Sequence, residues 1–282
     1  PISNFLISTA KAVLISALLA ANLVLAQVAI DQRPLIAAEV VPGNLVLTPS
    51  VEWPTINSVA NLGEYSAATS FAGYFDSNKC YAYHFSATES ERHFFPVAPA
   101  DNRACVSSST PASSMRWSGN FLNWAATQTI DPFRRALTGG LRVRDTATET
   151  WLEKARHDGQ GGSGVFPMRN ITGQELIRGA TPFFTARRGG NDRSLTSFRT
   201  RIHGLGNRMR FVINDSNDTL LGGNTFTAFD PGIHGRTSVR EDVVYEVSIR
   251  VRVCDATSSF ALANGGEAFL EDNCVQIGRA HV

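Results

Sequence analysis

The chain has 282 residues, 43% of them apolar and 18% charged, a balance that fits a globular protein and excludes a disordered polyelectrolyte. Its formal net charge is only +1, yet residues 134–210 hold 15 basic and 6 acidic side chains while the remainder holds 11 and 19. The middle is therefore basic and the flanks acidic.

Lys11 precedes an apolar run, AVLISALLAANLVLA at residues 12–26, that ends in small residues at cleavage spacing. Fifteen residues are short for a membrane span, so residues 1–26 are expected to be a signal peptide with a truncated start. Residues 27–278 then form the exported domain, and residues 279–282, inside the patternless GRAHV, are set aside as a non-native tail. Export means an oxidising compartment, in which Cys80, Cys105, Cys254 and Cys274 are expected to be bridged. Three pairings are open. Loop closure favours Cys80 with Cys105 and Cys254 with Cys274, each stabilising by about 3 kcal/mol. No cysteine pair has the short gap of a structural zinc site. An exported protein meets little nucleic acid, so the basic middle is expected to face acidic polysaccharide, lipopolysaccharide phosphate or the chain's own acidic flanks, unless it is simply solvated.

In chain order, PGNLVLTPSVEW at 42–53 reads as a turn and a strand. In GYFDSNKCYAYHF at 73–85, the alternation of Tyr81, Tyr83 and Phe85 predicts a strand with one aromatic face. Such a face either stacks on sugar rings or packs beside the first disulfide. Residues 86–114 turn polar and read as loop. Next, WSGNFLNWAATQTIDPFRRALTGG at 117–140 predicts two helices with a break: Asp131 as N-cap, Pro132 at the first helical position, and Gly139-Gly140 as the stop. Phe121, Leu122, Trp124, Ala125, Ile130, Phe133, Ala136 and Leu137 recur at helical spacing and predict one buried face.

Thr146 and Glu149 have capping-box spacing and predict a third helix running to about His157. Gly159, Gly161 and Gly164 imitate a dinucleotide loop but follow a predicted helix instead of a strand, so a surface loop is expected. Thr172 and Glu175 repeat the capping-box spacing before a short helix that Gly179 ends. From Arg208 the pattern becomes extended: RMRFVIND is one strand, and VVYEVSIRVRVC at 243–254 alternates apolar residues with Glu246, Ser248, Arg250 and Arg252. One face is apolar and the other wet or paired. The fold class expected is α+β, an antiparallel sheet under a layer of short helices, stapled by disulfides.

No HExxH, GxSxG or P-loop occurs, and the six histidines stand singly. Asp255, Thr257 and Ser259 imitate a metal-binding DxSxS, but too little chain follows for the domain that motif serves. Asp215, Asn217 and Thr219 begin like a calcium loop, but Leu220 stands where the turn needs glycine. Catalytic, cofactor and metal residues are accordingly set at none.

Together, GYFDSNKCYAY, WSGNFLNWAATQTIDPFRRALTGG, DTATETWLEKAR and VVYEVSIRVRVCDA followed by LEDNC resemble the N-terminal region of the PilY/PilC family of type IV pilus proteins. The most specific part of the signature is Trp117, Gly119, Asn120, Phe121, Asn123 and Trp124, with the closing Gly139 and Gly140. The resemblance implies an exported, non-enzymatic factor of pilus assembly and tip adhesion, with twitching motility and surface attachment. Its location would be the pilus tip, cell surface or outer membrane, the last held peripherally. Its partners would be minor pilins, the pilus tip and a host or abiotic surface. The family's C-terminal β-propeller is absent from this stretch, and calcium belongs only to that region. Pro132 departs from the family pattern and marks the position where this chain is expected to bend. The competing reading is a secreted carbohydrate-binding or carbohydrate-processing protein that uses Tyr81, Tyr83 and Phe85.

Overall fold

A computed structural model of the chain describes residues 48, 53–105, 115–156, 166–215, 220–235 and 237–255. Outside them lie the expected signal peptide, most of the 42–53 strand, the glycine loop at 159–164, Asn217, Thr219, Cys274 and the tail. All the described residues except Thr48 fall in the unit Pro49–Val282.

The first element among the described residues is a short helix, α1 (Trp53–Asn57), followed by β1 (Lys79–His84), a 3-10 turn (Glu89–Glu91) and β2 (His93–Pro99). Strand β3 (Trp117–Ser118) leads into α2 (Gly119–Ala126) and α3 (Ile130–Thr138). These are followed by β4 (Leu141–Asp145), β5 (Glu149–Glu153), β6 (Arg169–Thr172) and α4 (Gln174–Ala180). A small hairpin, β7 (Ala186–Arg188) and β8 (Asn191–Arg193), precedes β9 (Ser197–His203) and β10 (Arg208–Ile213). The last strands are β11 (Thr227–Ala228), β12 (Tyr245–Ser248) and β13 (Arg250–Asp255).

Two mixed sheets result, with strand orders β3-β1-β2-β13-β5-β4 and β11-β12-β10-β9-β6. The class is α+β as expected, but two sheets stand where one antiparallel sheet was read, and each contains a parallel pair, β13 with β2 and β11 with β12. The alternating segment 243–254 explains the division. It breaks at Ile249, whose N–H donates to the Asn207 carbonyl, so β12 serves one sheet and β13 the other. Both faces of this segment are buried from Val244 to Val251. Its polar residues are paired: Arg210 meets Glu246 at 2.8 Å, and Arg250 meets Glu153 with both side chains buried.

Trp117 joins the layers. Its ring lies within 5.5–6.3 Å of Phe94, Phe121, Phe183, Phe198, Phe211 and Phe229, mostly edge to face. Phe94 belongs to the six-stranded sheet and Phe198 and Phe211 to the five-stranded one, so a single buried indole touches both.

Three sequence expectations are corrected. The predicted third helix is the hairpin β4–β5. The Thr146 hydroxyl does accept the Glu149 N–H, at 3.1 Å, but it closes a turn between strands instead of capping a helix. Trp151 and Leu152 then point to opposite faces, Trp151 against His93 and Leu152 into the core. The polar tract after Ser86 hides a strand, HFFPVAP, whose own apolar run was outweighed by its surroundings. The second capping box also fails in detail: Gly173, not Thr172, stands before α4, and Gly179 lies inside the helix.

The basic middle is largely neutralised within the chain. Arg144 binds Glu91 and Glu149, Arg208 and Arg210 bind Glu246, and Arg188 lies 3.8 Å from Glu241. Of these acids, Glu91, Glu241 and Glu246 come from the acidic flanks and Glu149 from the basic stretch itself.

Cys80 and Cys105, 25 positions apart in sequence, form a disulfide with Cα atoms 5.8 Å apart. Cys254 is also disulfide-bonded. Chain-entropy reasoning for a loop of that length gives about 3.5 kcal/mol. The Cys80→Ala/Cys105→Ala protein should lose about that much stability in urea, and a loss below about 1 kcal/mol would show that the bridge does not constrain the unfolded chain.

Two buried histidines make stability depend on pH. His93 stacks on Trp151 with ring centres 4.0 Å apart, and its Nδ1–H donates to the Glu91 carbonyl. The Nε2 of His203 accepts from Arg210 at 3.0 Å. Burial first, and neighbouring arginines second among the lowering influences, push each ring from 6.5 to about 4. The unfolded chain protonates these rings near pH 6.5 and the folded chain only near pH 4, so acidification through that window favours unfolding. Urea midpoints should fall between pH 6.5 and 4 by on the order of 2 kcal/mol in stability, after solvent screening. His93→Gln should flatten its share of the slope, and an unchanged slope would exclude His93 as the source.

Candidate functional site

The signature stretch was expected to be a two-helix unit, and it is one. Ser118 caps α2 by accepting the Phe121 N–H at 3.2 Å. All eight residues of α2 are buried, including Asn120 and Asn123, spaced by three on an otherwise apolar helix. Buried amides need partners, and these find them in the irregular segment 61–77.

The Asn120 carbonyl oxygen accepts the Phe71 N–H at 2.9 Å, and its amide donates to the Thr69 carbonyl at 2.9 Å. The Asn123 oxygen accepts the Phe75 N–H at 3.0 Å, while its amide donates to the Phe71 and Phe75 carbonyls at 2.9 and 2.8 Å. From the segment itself, Asn61 donates to the Asn123 carbonyl and exchanges two bonds with Ala72. Trp124 Nε1–H donates to the Gly63 carbonyl at 3.0 Å. Phe121, Trp124, Phe71 and Tyr65 fill the space between. The approach is close enough that a Cβ on Gly73 would lie 2.1 Å from Asn123 Oδ1, and one on Gly119 2.1 Å from the Asp76 carbonyl.

The break between the helices falls at residues 127–129, before Pro132 and not at it. Strand-like bonds replace the helical ones there: Ala60 N–H donates to the Thr127 carbonyl and Thr129 N–H to the Ser58 carbonyl. Helix α3 already includes Asp131 and Pro132, and proline is tolerated in the first turn because its missing N–H has no helical partner there. The Asp131 carboxylate accepts the Gln128 and Ala155 N–H groups and lies 3.6 Å from Lys154 Nζ, both side chains 1% exposed. Burial lowers the Lys154 pKa, and Asp131 opposes that shift. Gly139 ends α3 in the left-handed conformation, and Gly140, also at positive φ, backs onto Tyr74 and Leu152. Arg169 completes the unit, stacked on Trp124 and bonded to the Trp124 and Asn61 carbonyls, with burial pushing its pKa down to about 10.

The candidate aromatic surface is not a surface. Tyr81 is fully buried and Tyr83 nearly so, and their hydroxyls accept the Asp76 and Ser248 N–H groups. Phe85, half-buried, lies under the Arg92 guanidinium. The sugar-stacking arrangement is therefore lost, because β1 turns Tyr81 and Tyr83 into the core and Phe85 packs against it. Among the described residues no group of three or more His, Cys, Asp or Glu side chains is placed to hold a metal, and no helix is long and apolar enough to cross a membrane. Among the described residues, one cleft of about 400 Å³ lies beside Arg187 and Arg240 and another of about 330 Å³ beside Phe226 and Leu220. The first is rimmed by arginines already paired with Asp192 and Asp242. The second is lined by Thr225, Thr227 and Asp242, and the Asp242 carboxylate is held by Arg240.

The asparagine clamp was present in the sequence only as a signature. Two amides three residues apart on an apolar helix are the signal that such a helix is buried on every side. Asn123→Ala takes the side-chain partner from the Phe75 N–H and the Phe75 carbonyl, at roughly 1–3 kcal/mol each, while the Phe71 carbonyl keeps the Ser77 hydroxyl. It should lower stability by at least about 2 kcal/mol in thermal or urea unfolding and speed amide exchange across residues 61–77. A loss under 1 kcal/mol would mean that water replaces the amide.

Comparison with known proteins bears on the same stretch. A family model described as PilY1 homolog, small alpha/beta domain, matches residues 63–210, which include both signature helices and the clamped segment from Gly63 onward. A Xylella fastidiosa (strain Temecula1) protein named type IV pilus biogenesis factor PilY1 homolog is 47% identical over 251 residues, covering 89% of this chain and 18% of the relative. A second protein of that name from the same organism is 32% identical over 97 residues, 34% of this chain and 6% of its own. The chain thus spans less than a fifth of the length of either relative. No solved structure matches it. By the family model and the signature it covers, the chain belongs to the PilY1 homolog family.

Proposed function

We propose that this chain is a non-enzymatic module of a type IV pilus biogenesis factor. The observation that carries the reading is the 47% identity, over 89% of the chain, to a protein named for that role. The interior supports it: the signature side chains are engaged in packing and backbone capping, which suits a module that presents a rigid surface. The reading includes export by a signal peptide over residues 1–26, a domain spanning 27–278, and action at the pilus tip, cell surface or outer membrane. Minor pilins are its proposed partners, and surface adhesion and twitching motility the proposed outcomes. The carbohydrate reading keeps no observation in its favour once Tyr81 and Tyr83 are buried.

In the native bacterium, in-frame deletion of the codons for residues 53–255 should reduce pilin in the sheared surface fraction at least tenfold, with total cellular pilin unchanged. Restoring the intact gene should restore piliation. Undiminished surface pili in the deletion strain would overturn the proposal.

A further inference from the structure

The deeply buried ion pairs of this protein differ in kind. Glu246 is met by Arg210 and Glu153 by Arg250, each through guanidinium hydrogen bonds. Asp131 is met by an amine instead. Lys154 Nζ lies 3.6 Å from Asp131 Oδ2 with both side chains 1% exposed, and it has no hydrogen-bond partner. Of the chain's 26 basic residues only Lys11, Lys79 and Lys154 are lysines. The difference is chemical: a guanidinium keeps its proton, whereas a desolvated amine can lose one and become a nucleophile. The surroundings favour that form. Phe166, its ring centre 5.9 Å from Nζ, Ala155 and Ile56 are fully buried and converge on Gly206. Burial favours the neutral amine here, and Asp131 opposes it.

We propose that Lys154 and Asp131 condense to an amide, a covalent cross-link between side chains of the folded chain. The two carboxylate oxygens are already distinguished. Oδ1 accepts the Ala155 N–H at 2.8 Å, while Oδ2 accepts the Gln128 N–H at 3.0 Å and faces Nζ. One proton passes from the ammonium to Oδ2, leaving a neutral amine beside a neutral carboxyl group. The nitrogen lone pair then attacks Cγ, and the charge that develops on Oδ1 is held by the Ala155 N–H. As the Cγ–Oδ2 bond breaks, a second nitrogen proton joins the departing hydroxyl, so that one Nζ–Cγ bond forms and one water leaves. No further reactant is consumed. The product also removes two charges from an apolar interior, where an ion pair is held at a desolvation cost. It would tie the first turn of α3 to the residue that follows β5, so the signature helices and the six-stranded sheet become covalently joined. Pro132 excludes the common competing loss of water, cyclisation of an aspartate onto the next backbone nitrogen, because that nitrogen carries no proton.

Peptide mapping of the purified chain tests this after denaturation, reduction and digestion with trypsin. Without the cross-link, residues 117–134 and 145–154 appear as separate linear peptides. With it, WSGNFLNWAATQTIDPFR and DTATETWLEKAR should appear as one branched peptide, lighter than their sum by one water, and cleavage after Lys154 should be lost in most molecules. Fragmentation should place the branch at Asp131 and Lys154. Lys154→Arg, which keeps the charge and removes the nucleophile, should return the 117–134 peptide at its full mass. The map of the unsubstituted chain decides by itself, whether or not that variant folds. Complete cleavage after Lys154 together with an unmodified 117–134 peptide would overturn the proposal. So would a loss of water from that peptide that persists in Lys154→Arg, or a branch that joins Asp131 to any other residue.

Discussion

A chain segment that runs through a protein interior without regular structure must find a partner for each amide and carbonyl it takes out of water. In this fold the segment 61–77 does so through the amides of Asn61, Asn120 and Asn123. The requirement runs outward from there. Helix α2 has to be buried on all sides to bring two asparagines to the segment, and its burial places Trp117, just before its cap, where the two sheets meet. Tyr65, Phe71 and Phe75 enter the core because the backbone that carries them is satisfied there. The polar clamp and the aromatic core are thus one construction.

How much of this was legible depended on whether a local pattern had a single structural meaning. The alternation at 243–254 could only be a strand, although its division at Ile249 depends on the Asn207 carbonyl, which is remote in sequence. The glycine stop at Gly139 was equally plain. Thr146 and Glu149 were ambiguous, because the hydroxyl-to-amide bond that caps a helix also closes a hairpin. Nothing within those four residues decides between them; the pairing of Trp151 with Arg252 on β13 does. HFFPVAP was masked by the polar residues around it, and its partner strands lie on both sides of it in the sheet. Tyr81 and Tyr83 were legible as an aromatic strand face, but which way that face turned was set by the core around Phe75 and Phe94.

The signature shows the same limit in functional terms. Trp117, Asn120, Asn123, Gly139 and Gly140 are each engaged by the scaffold itself, in aromatic packing, backbone capping or a left-handed turn. Recognition surfaces must therefore be sought among residues that the scaffold leaves unused, and these carry no pattern that a single sequence reveals. The arginines illustrate it: the basic middle left an outside anion, the chain's own acids and plain solvation all open, and Glu91, Glu149 and Glu246 pair with Arg144, Arg208 and Arg210 from within.

The passage of one continuous segment from β12 to β13 has a mechanical consequence. Strand β13 lies between β2, to which it is parallel, and β5, to which it is antiparallel, in the interior of a six-stranded sheet. Tension applied along β13 from its far end at Asp255 loads these ladder bonds in shear, so that they share the force instead of opening one after another. Beyond Ile249 the same strand is anchored in the second sheet beside β10. A pull on the chain at that point is resisted by both sheets in series, with the Trp117 cluster as the joint between them.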